Sequence, residues 1–180
     1  MSGFGAPLYQ PDLGPRGVVL PDGSRAVVRA LASGEAALVQ QVFDGLGDES
    51  RRQRFAGAKP RLSERDLELL SAVDKGNHEA LVALEPETGV AVAEARVVRD
   101  RSDARVGEIA FAVTDAWQNR RLGTYLAKLL ACRARELGMV RLRATILADN
   151  SRSNALLLGM GRVVGRRYEQ GAVELEIALD

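Results

Sequence analysis

Hydrophobic positions along the chain switch repeatedly between a spacing of two and a spacing of three to four, and the switches mark out a succession of strands and helices. From Val18 to Leu31, apolar residues flank a Pro21-Asp22-Gly23 turn, with Val27, Val28 and Leu31 behind it. That pattern predicts a first strand entered through a hairpin. Ser33 offers an N-cap, and Ala36, Leu38, Val39, Val42, Phe43 and Leu46 then recur at helical spacing until Gly45 and Gly47 supply a stop. Residues Arg51 to Lys59 are basic and lack a period, so no element is expected there. Ser63 caps a further helix whose Leu67, Leu70 and Val73 share one stripe.

Past the Gly76-Asn77 break come three apolar segments, 80–84, 90–99 and 105–113, joined by short turns as in an antiparallel meander. Residues 124–137 carry Leu126, Leu129, Leu130, Ala134 and Leu137 at helical spacing and end at Gly138. A strand over 140–147 alternates Val140, Leu142, Ala144 and Ile146 against a partly polar face, and a helix over 151–158 follows. Segments 163–168 and 172–179, either side of Gln170-Gly171, close the chain as a hairpin. The order predicts an α/β fold: one mixed sheet with helices, in a single domain over 18–180. Residues 1–17, with three prolines, four glycines and no apolar period, are expected to be a flexible tail.

Composition narrows the function. At 180 residues, 46% hydrophobic and 27% charged, the chain has the makings of one ordinary core. A net charge of +1 gives no sign of a nucleic-acid binder. One cysteine, Cys132, and one histidine, His78, supply neither an internal disulfide nor a Cys/His metal site, so no metal is expected. No apolar run approaches the ~20 residues of a membrane span, and no secretory signal pattern opens the chain. A cytoplasmic protein without membrane partners is expected, as a monomer or a homodimer.

The segment between the strand ending at Val113 and the helix opening near Thr124 runs Asp115-Ala116-Trp117-Gln118-Asn119-Arg120-Arg121-Leu122-Gly123-Thr124. A glycine at a helix start leaves backbone N–H groups converging on one point with the positive helix end behind them, and Arg120 and Arg121 add charge beside it. Taken by itself the segment suits either a plain loop or an anion cradle.

In this setting Gln118-x-x-Arg121-x-Gly123 resembles the signature of the GNAT superfamily of N-acetyltransferases, with Arg121 standing where the family's first glycine falls. Glu108-Ile109-Ala110-Phe111-Ala112-Val113 is similar to that family's cofactor strand, and Asn150 to Leu157 to the segment after the neighbouring strand; the likeness spans about residues 18 to 180. Val18 to Gly23, Glu49 to Phe55 and Ala80 to Leu84 look like the catalytic domains of Pat-type bacterial protein-lysine acetyltransferases. The resemblance implies a mostly antiparallel sheet of about six to seven strands with a splayed pair that holds acetyl-CoA as co-substrate. It implies direct acetyl transfer to an amine, with a protein lysine first and a small-molecule amine second. A non-catalytic acyl-CoA-binding or partner-binding module is the alternative.

The same resemblance implies the roles. Phe111, Ala112 and Val113 would line the pantetheine arm, with the Val113 N–H as oxyanion donor. Gln118, Asn119, Arg120, Arg121, Leu122, Gly123 and Thr124 would cradle the pyrophosphate, and Asn150 and Asn154 would contact the cofactor. Glu108, on one strand face with Ala110 and Ala112, takes the place of the general base and is expected to be partly buried, since a free lysine with pKa ~10.4 must lose a proton and a carboxylate near ~4.3 needs help to take it. Glu94 is held in reserve. Leu157 stands where many relatives carry a tyrosine acid, so no general acid is assigned. His78 reads as a turn or packing histidine, Cys132 as core, Trp117 as a residue packing the loop, and the Arg51, Arg52 and Arg54 run as a solvated face.

Overall fold

In the computed structural model, which describes residues 14–74 and 76–179, period-two apolar segments become the strands of a single eight-stranded sheet. The hairpin turn forms as its sequence demands: Gly23 takes φ +84°, and Asp22 accepts from the Ser24 amide at 3.1 Å. It joins β1 (Arg16–Val19) to β2 (Arg25–Ala30). Thus Arg16 and Gly17, expected in the tail, are in the sheet, while residues 1–13 of that expected tail lie outside the described residues.

Helix α1 (Ala36–Asp44) follows, then α2 (Asp48–Phe55) and α3 (Glu64–Ser71), the last opened by a capping box of Ser63 and Asp66. Helix α2 corrects the irregular stretch expected from Arg51 onward. No residue of α2 is buried, so no apolar stripe announces it; acidic Asp48 and Glu49 in its first turn and Arg52 and Arg54 in its last match the helix dipole instead.

The meander is β3 (His78–Leu84), β4 (Ala91–Arg99) and β5 (Val106–Val113), followed by α4 (Leu122–Glu136), β6 (Arg141–Leu147), α5 (Ser151–Leu158), β7 (Arg162–Glu169) and β8 (Ala172–Ala178). Strand order is β1-β2-β3-β4-β5-β6-β8-β7, one more strand than the upper expectation because the opening hairpin supplies two. Every described pairing is antiparallel except β5 with β6.

Two cores cover the sheet. On one face Leu126 and Leu130 of α4 join Ile109, Leu142, Leu175 and Ile177; on the other Val39 and Val42 of α1 meet Leu31, Ala80, Val82 and Ala112. Each fully buried Leu or Ile contributes about 1.5–3 kcal/mol, so the larger cluster under α4 anchors the fold. It also holds the start of β5 to the start of β6. At Gly107 a Cβ would come within 2.6 Å of Met139 Sδ and Val97 Cγ2, so only glycine lets these elements close up.

Candidate active site

The parallel ladder between β5 and β6 has three rungs, Val106↔Arg141, Gly107↔Leu142 and Glu108↔Arg143, and then stops. Beyond it the strands part. Thr114 donates its amide to Val92 of β4 at 2.9 Å, so by strand alternation Phe111 and Val113 turn their amide groups the other way, into the gap. A cleft of ≈ 790 Å³ occupies the gap and passes between the two faces of the sheet. On the α4 and α5 side its walls include Phe111, Val113, Leu122, Gly123 and Leu156, and on the α2 side Ala110, Ala112, Gln53, Arg54 and Thr145.

Helix α4 begins two residues earlier than its apolar period indicates, at Leu122, with Arg121 as N-cap. No side chain caps it and no acidic residue sits in its first turn, so its leading N–H groups face the cleft with their dipole uncancelled. Asn119 and Arg121 both take left-handed backbone, at φ +62° and +65°, which turns the chain sharply enough to aim those groups inward. Gly123 is small for a second reason: a Cβ there would meet Leu156 at 3.2 Å and Val113 at 3.6 Å. The arrangement suits an extended ligand with an anionic group at the helix start and an apolar arm in the splay.

Gln118 holds this loop with its side chain. Its Nε2 donates to Val113 O at 3.1 Å, Ser50 Oγ at 3.0 Å and Asp115 Oδ1 at 3.1 Å, and its Oε1 accepts from Arg152 at 2.6 Å. Asp115 in turn accepts from Ser50 Oγ at 2.6 Å and from the Gly47 amide at 3.2 Å, so α2 is tied to the loop through its first turn. Arg52 reaches across the cleft to Asp149 at 2.7 Å and back to Glu49 at 2.7 Å.

Under the α2 side lies a buried charge cluster. Glu94 and Arg96 are 5% and 4% exposed and ion-paired, and Arg54 donates to Glu94 at 3.1 Å. Burial opposes the charge on Glu94, but Arg96 and Arg54 outweigh it and hold the carboxyl below the usual carboxylate range. The reserve base is therefore a fixed anion with both oxygens engaged. Arg96 continues to Leu70 O at 2.8 Å and to His78 Nε2 at 3.0 Å, while His78 Nδ1 faces Ala72 O at 3.1 Å. His78 thus acts as a packing histidine.

Of the residues singled out from sequence, the cleft brings together Phe111, Ala112, Val113, Gln118, Asn119, Arg121, Leu122, Gly123, Thr124 and Asn150. Asn150 is 5% exposed and its side chain accepts from the Ser153 amide at 3.0 Å, so it caps α5. Three residues lie outside the cleft walls. Arg120 stacks 5.0 Å from the Trp117 ring and pairs with Asp22 at 3.7 Å; Asn154 is half-buried on α5; and Glu108 is exposed, against the expectation of partial burial. The cause is its register: its neighbour on β4, Val98, is itself 40% exposed, and Arg143 on β6 is only half-buried. Trp117 packs the loop as expected, Leu157 is buried, and Cys132 is half-buried on α4. Sequence reasoning missed the α2 wall, Glu49, Ser50, Gln53 and Arg54, because a helix without a buried stripe gives no periodic signal.

Comparison with known proteins gives this geometry a context. The model of the acetyltransferase (GNAT) family matches residues 43–161. Acetyltransferase Pat of Mycolicibacterium smegmatis (strain ATCC 700084 / mc(2)155) is 34% identical over 111 residues, covering 62% of this chain and 33% of that protein. The chain therefore spans about a third of the length of that curated relative. The GNAT domain of S. lividans PAT superposes with a TM-score of 0.82 at 30% identity, over 91% of this chain and 96% of that one. A cAMP-binding acyltransferase from Mycobacterium smegmatis superposes at 0.64 with 26% identity, over 92% of this chain and 47% of that one. The fold also matches yncA of Salmonella typhimurium, a putative acetyltransferase solved with its cofactor acetyl-CoA, at 0.68 and 18% identity over 86% and 94%. From the extent of the family match and the agreement of the whole sheet, the chain belongs to the GNAT family of acetyltransferases.

Proposed function

We propose that the chain transfers an acetyl group from acetyl-CoA directly to an amine, with a protein lysine side chain as the first acceptor. The observation that carries this reading is the cleft that crosses the sheet where β5 and β6 part, with an uncapped helix start at one end and the α2 wall at the other. Acetyl-CoA is the co-substrate that fits it: the backbone N–H groups of Leu122, Gly123 and Thr124 hold the pyrophosphate, and Phe111 to Val113 line the pantetheine arm. The amide of Val113 then faces the gap as a donor to the charge that develops on the acetyl oxygen.

The acceptor enters from the α2 side, past Ala110 and Ala112, whose small side chains leave room for a nitrogen beside the thioester. Glu108 shares that face, two residues or about 6.6 Å from Ala110 along the strand. It takes the amine proton through one or two waters, and its exposure gives those waters a path. The neutral nitrogen attacks the acetyl carbon, and the thiolate leaves with little assistance because its conjugate thiol has a pKa of ~8.5. The likeness to Pat proteins supports a lysine acceptor.

Calorimetric titration of acetyl-CoA, beside desulfo-CoA and ATP, followed by turnover on lysine peptides and small amines, tests the reading. Saturable, selective binding with turnover is expected. Glu108→Gln is expected to keep the binding and lower kcat by about 10²- to 10⁴-fold. No binding, or binding without turnover on any amine, overturns the enzyme.

A further inference from the structure

The acetyl-transfer reading makes no use of the charge cluster beneath the α2 side of the cleft, yet that cluster sits against the acceptor slot. Register places Glu94 beside Ala112 and Arg96 beside Ala110, the two small residues that line the slot. Arg54 is itself a wall of the cleft, its side chain 11% exposed and its Nε buried without a partner. Two guanidiniums thus share one carboxylate. The next group along, His78, adds no charge: its Nδ1 faces a carbonyl and carries the proton, leaving Nε2 to accept from Arg96.

The surrounding charges are mixed, with Arg121 and Lys128 on the α4 side of the same cleft. At the mouth, Arg52 and Arg152 offset two carboxylates, Glu49 of α2 and Asp149 before α5. Glu108 adds another at the start of β5, beside Arg143 of β6, which is itself paired with Asp100 and Glu174. Arg51 of α2 turns away, over the Phe43 ring and toward Pro60 O. A rim of mixed charge therefore surrounds a cationic floor.

We propose that Arg54 sets the protonation state of the acceptor: an amine that is cationic in solution sheds its proton on entering the slot, driven by the uncompensated positive charge of the Arg54–Glu94–Arg96 cluster. The inference rests on the acetyl-transfer reading and deepens it. The proton passes to Glu108 or to water at the rim. The nitrogen lone pair then forms the C–N bond, the C–S bond breaks, the sulfur leaves as thiolate, and the remaining ammonium-like proton is lost to solvent. A lysine side chain, cationic at its tip and apolar along its stem, is the acceptor class that such a slot suits. Arg54 would act on the reacting nitrogen by charge, with no bond to it.

The test measures kcat/KM against pH on a lysine peptide for the wild type, Arg54→Gln, Arg54→Lys and Glu94→Gln, with melting curves and acetyl-CoA affinity alongside. Removing the charge in Arg54→Gln is expected to move the rising limb up by about one pH unit, a tenfold loss at fixed pH on that limb. Arg54→Lys keeps the limb in place. Glu94→Gln leaves the cluster more positive and moves the limb down, so a variant that folds poorly leaves one of opposite sign. A limb unmoved in Arg54→Gln and Glu94→Gln, or moved alike in both, overturns this inference alone. A wild type without turnover on any amine overturns the acetyl-transfer reading and this inference with it.

Discussion

Arg121 pays a conformational penalty that a glycine would avoid: at φ +65° and ψ 14° its Cβ crowds its own backbone, a strain of about 1–2 kcal/mol. The strain persists because the loop must turn there to aim the α4 amides into the cleft. Arg121→Gly relieves it but also frees the unfolded chain, so the net gain is expected to be about 0.5–1 kcal/mol, a rise in Tm of about 2 °C. Arg121→Ala keeps the left-handed backbone with a Cβ in place and should show no gain. Melting curves of the pair separate backbone from charge, and equal shifts in both would sink the argument. The substitution of arginine for the family's glycine was visible in sequence; that the position demands positive φ became visible only in the structure.

At the scale of elements, α2 shows what holds a helix that has no buried apolar stripe. Asp115 accepts from the Gly47 amide, Ser50 Oγ and Gln118 Nε2, fastening the first turn of α2 to the loop before α4. Asp115→Ala removes all three bonds. Because Asp115 is exposed, the cost to global stability is expected near 1 kcal/mol, while amide exchange across 48–55 speeds up and the β3 and β4 amides keep their protection. Exchange rates in α2 unchanged by the substitution would show that its ion pairs hold it unaided. The same helix marks the limit of reading by period. Helix α4, the meander and the closing hairpin were legible because their apolar residues repeat against a core, with ends misplaced by no more than two residues. Helix α2 repeats nothing, and its signal lay in the order of charges, acidic first and basic last. The loop was legible from its glycine and its neighbours. Glu94 as a fixed anion was not, since its partners Arg54 and Arg96 converge on it only once α2 lies over β4 and β5.

Across the whole molecule, stability depends on groups that titrate in the fold differently from the open chain. Burial, and then the charge of Arg96, lower the pKa of His78 below its ordinary 6.5. A folded state that binds the proton less well than the unfolded one gains stability as pH rises through that window, so the His78 contribution is present above 6.5 and is lost as pH falls from 6.5 toward the depressed value. Melting from pH 7.5 to 5 is expected to show this loss, and His78→Gln, which keeps an acceptor but no titration, to flatten it. The sheet itself has a weak seam. Five strands stand on one side of the β5–β6 junction and three on the other, joined in the sheet by three rungs and across it by α4. A ligand lying in the splay touches both sides, so acetyl-CoA should stabilise the native state by mass action, about 2.7 kcal/mol at a hundredfold excess over its Kd. The protection should appear in amide exchange of 109–113 and 144–147, the two strand segments that have lost each other as partners, and at the start of α4. Protection confined to α4, with both strand segments unchanged, would place the ligand outside the splay and leave the seam without a function.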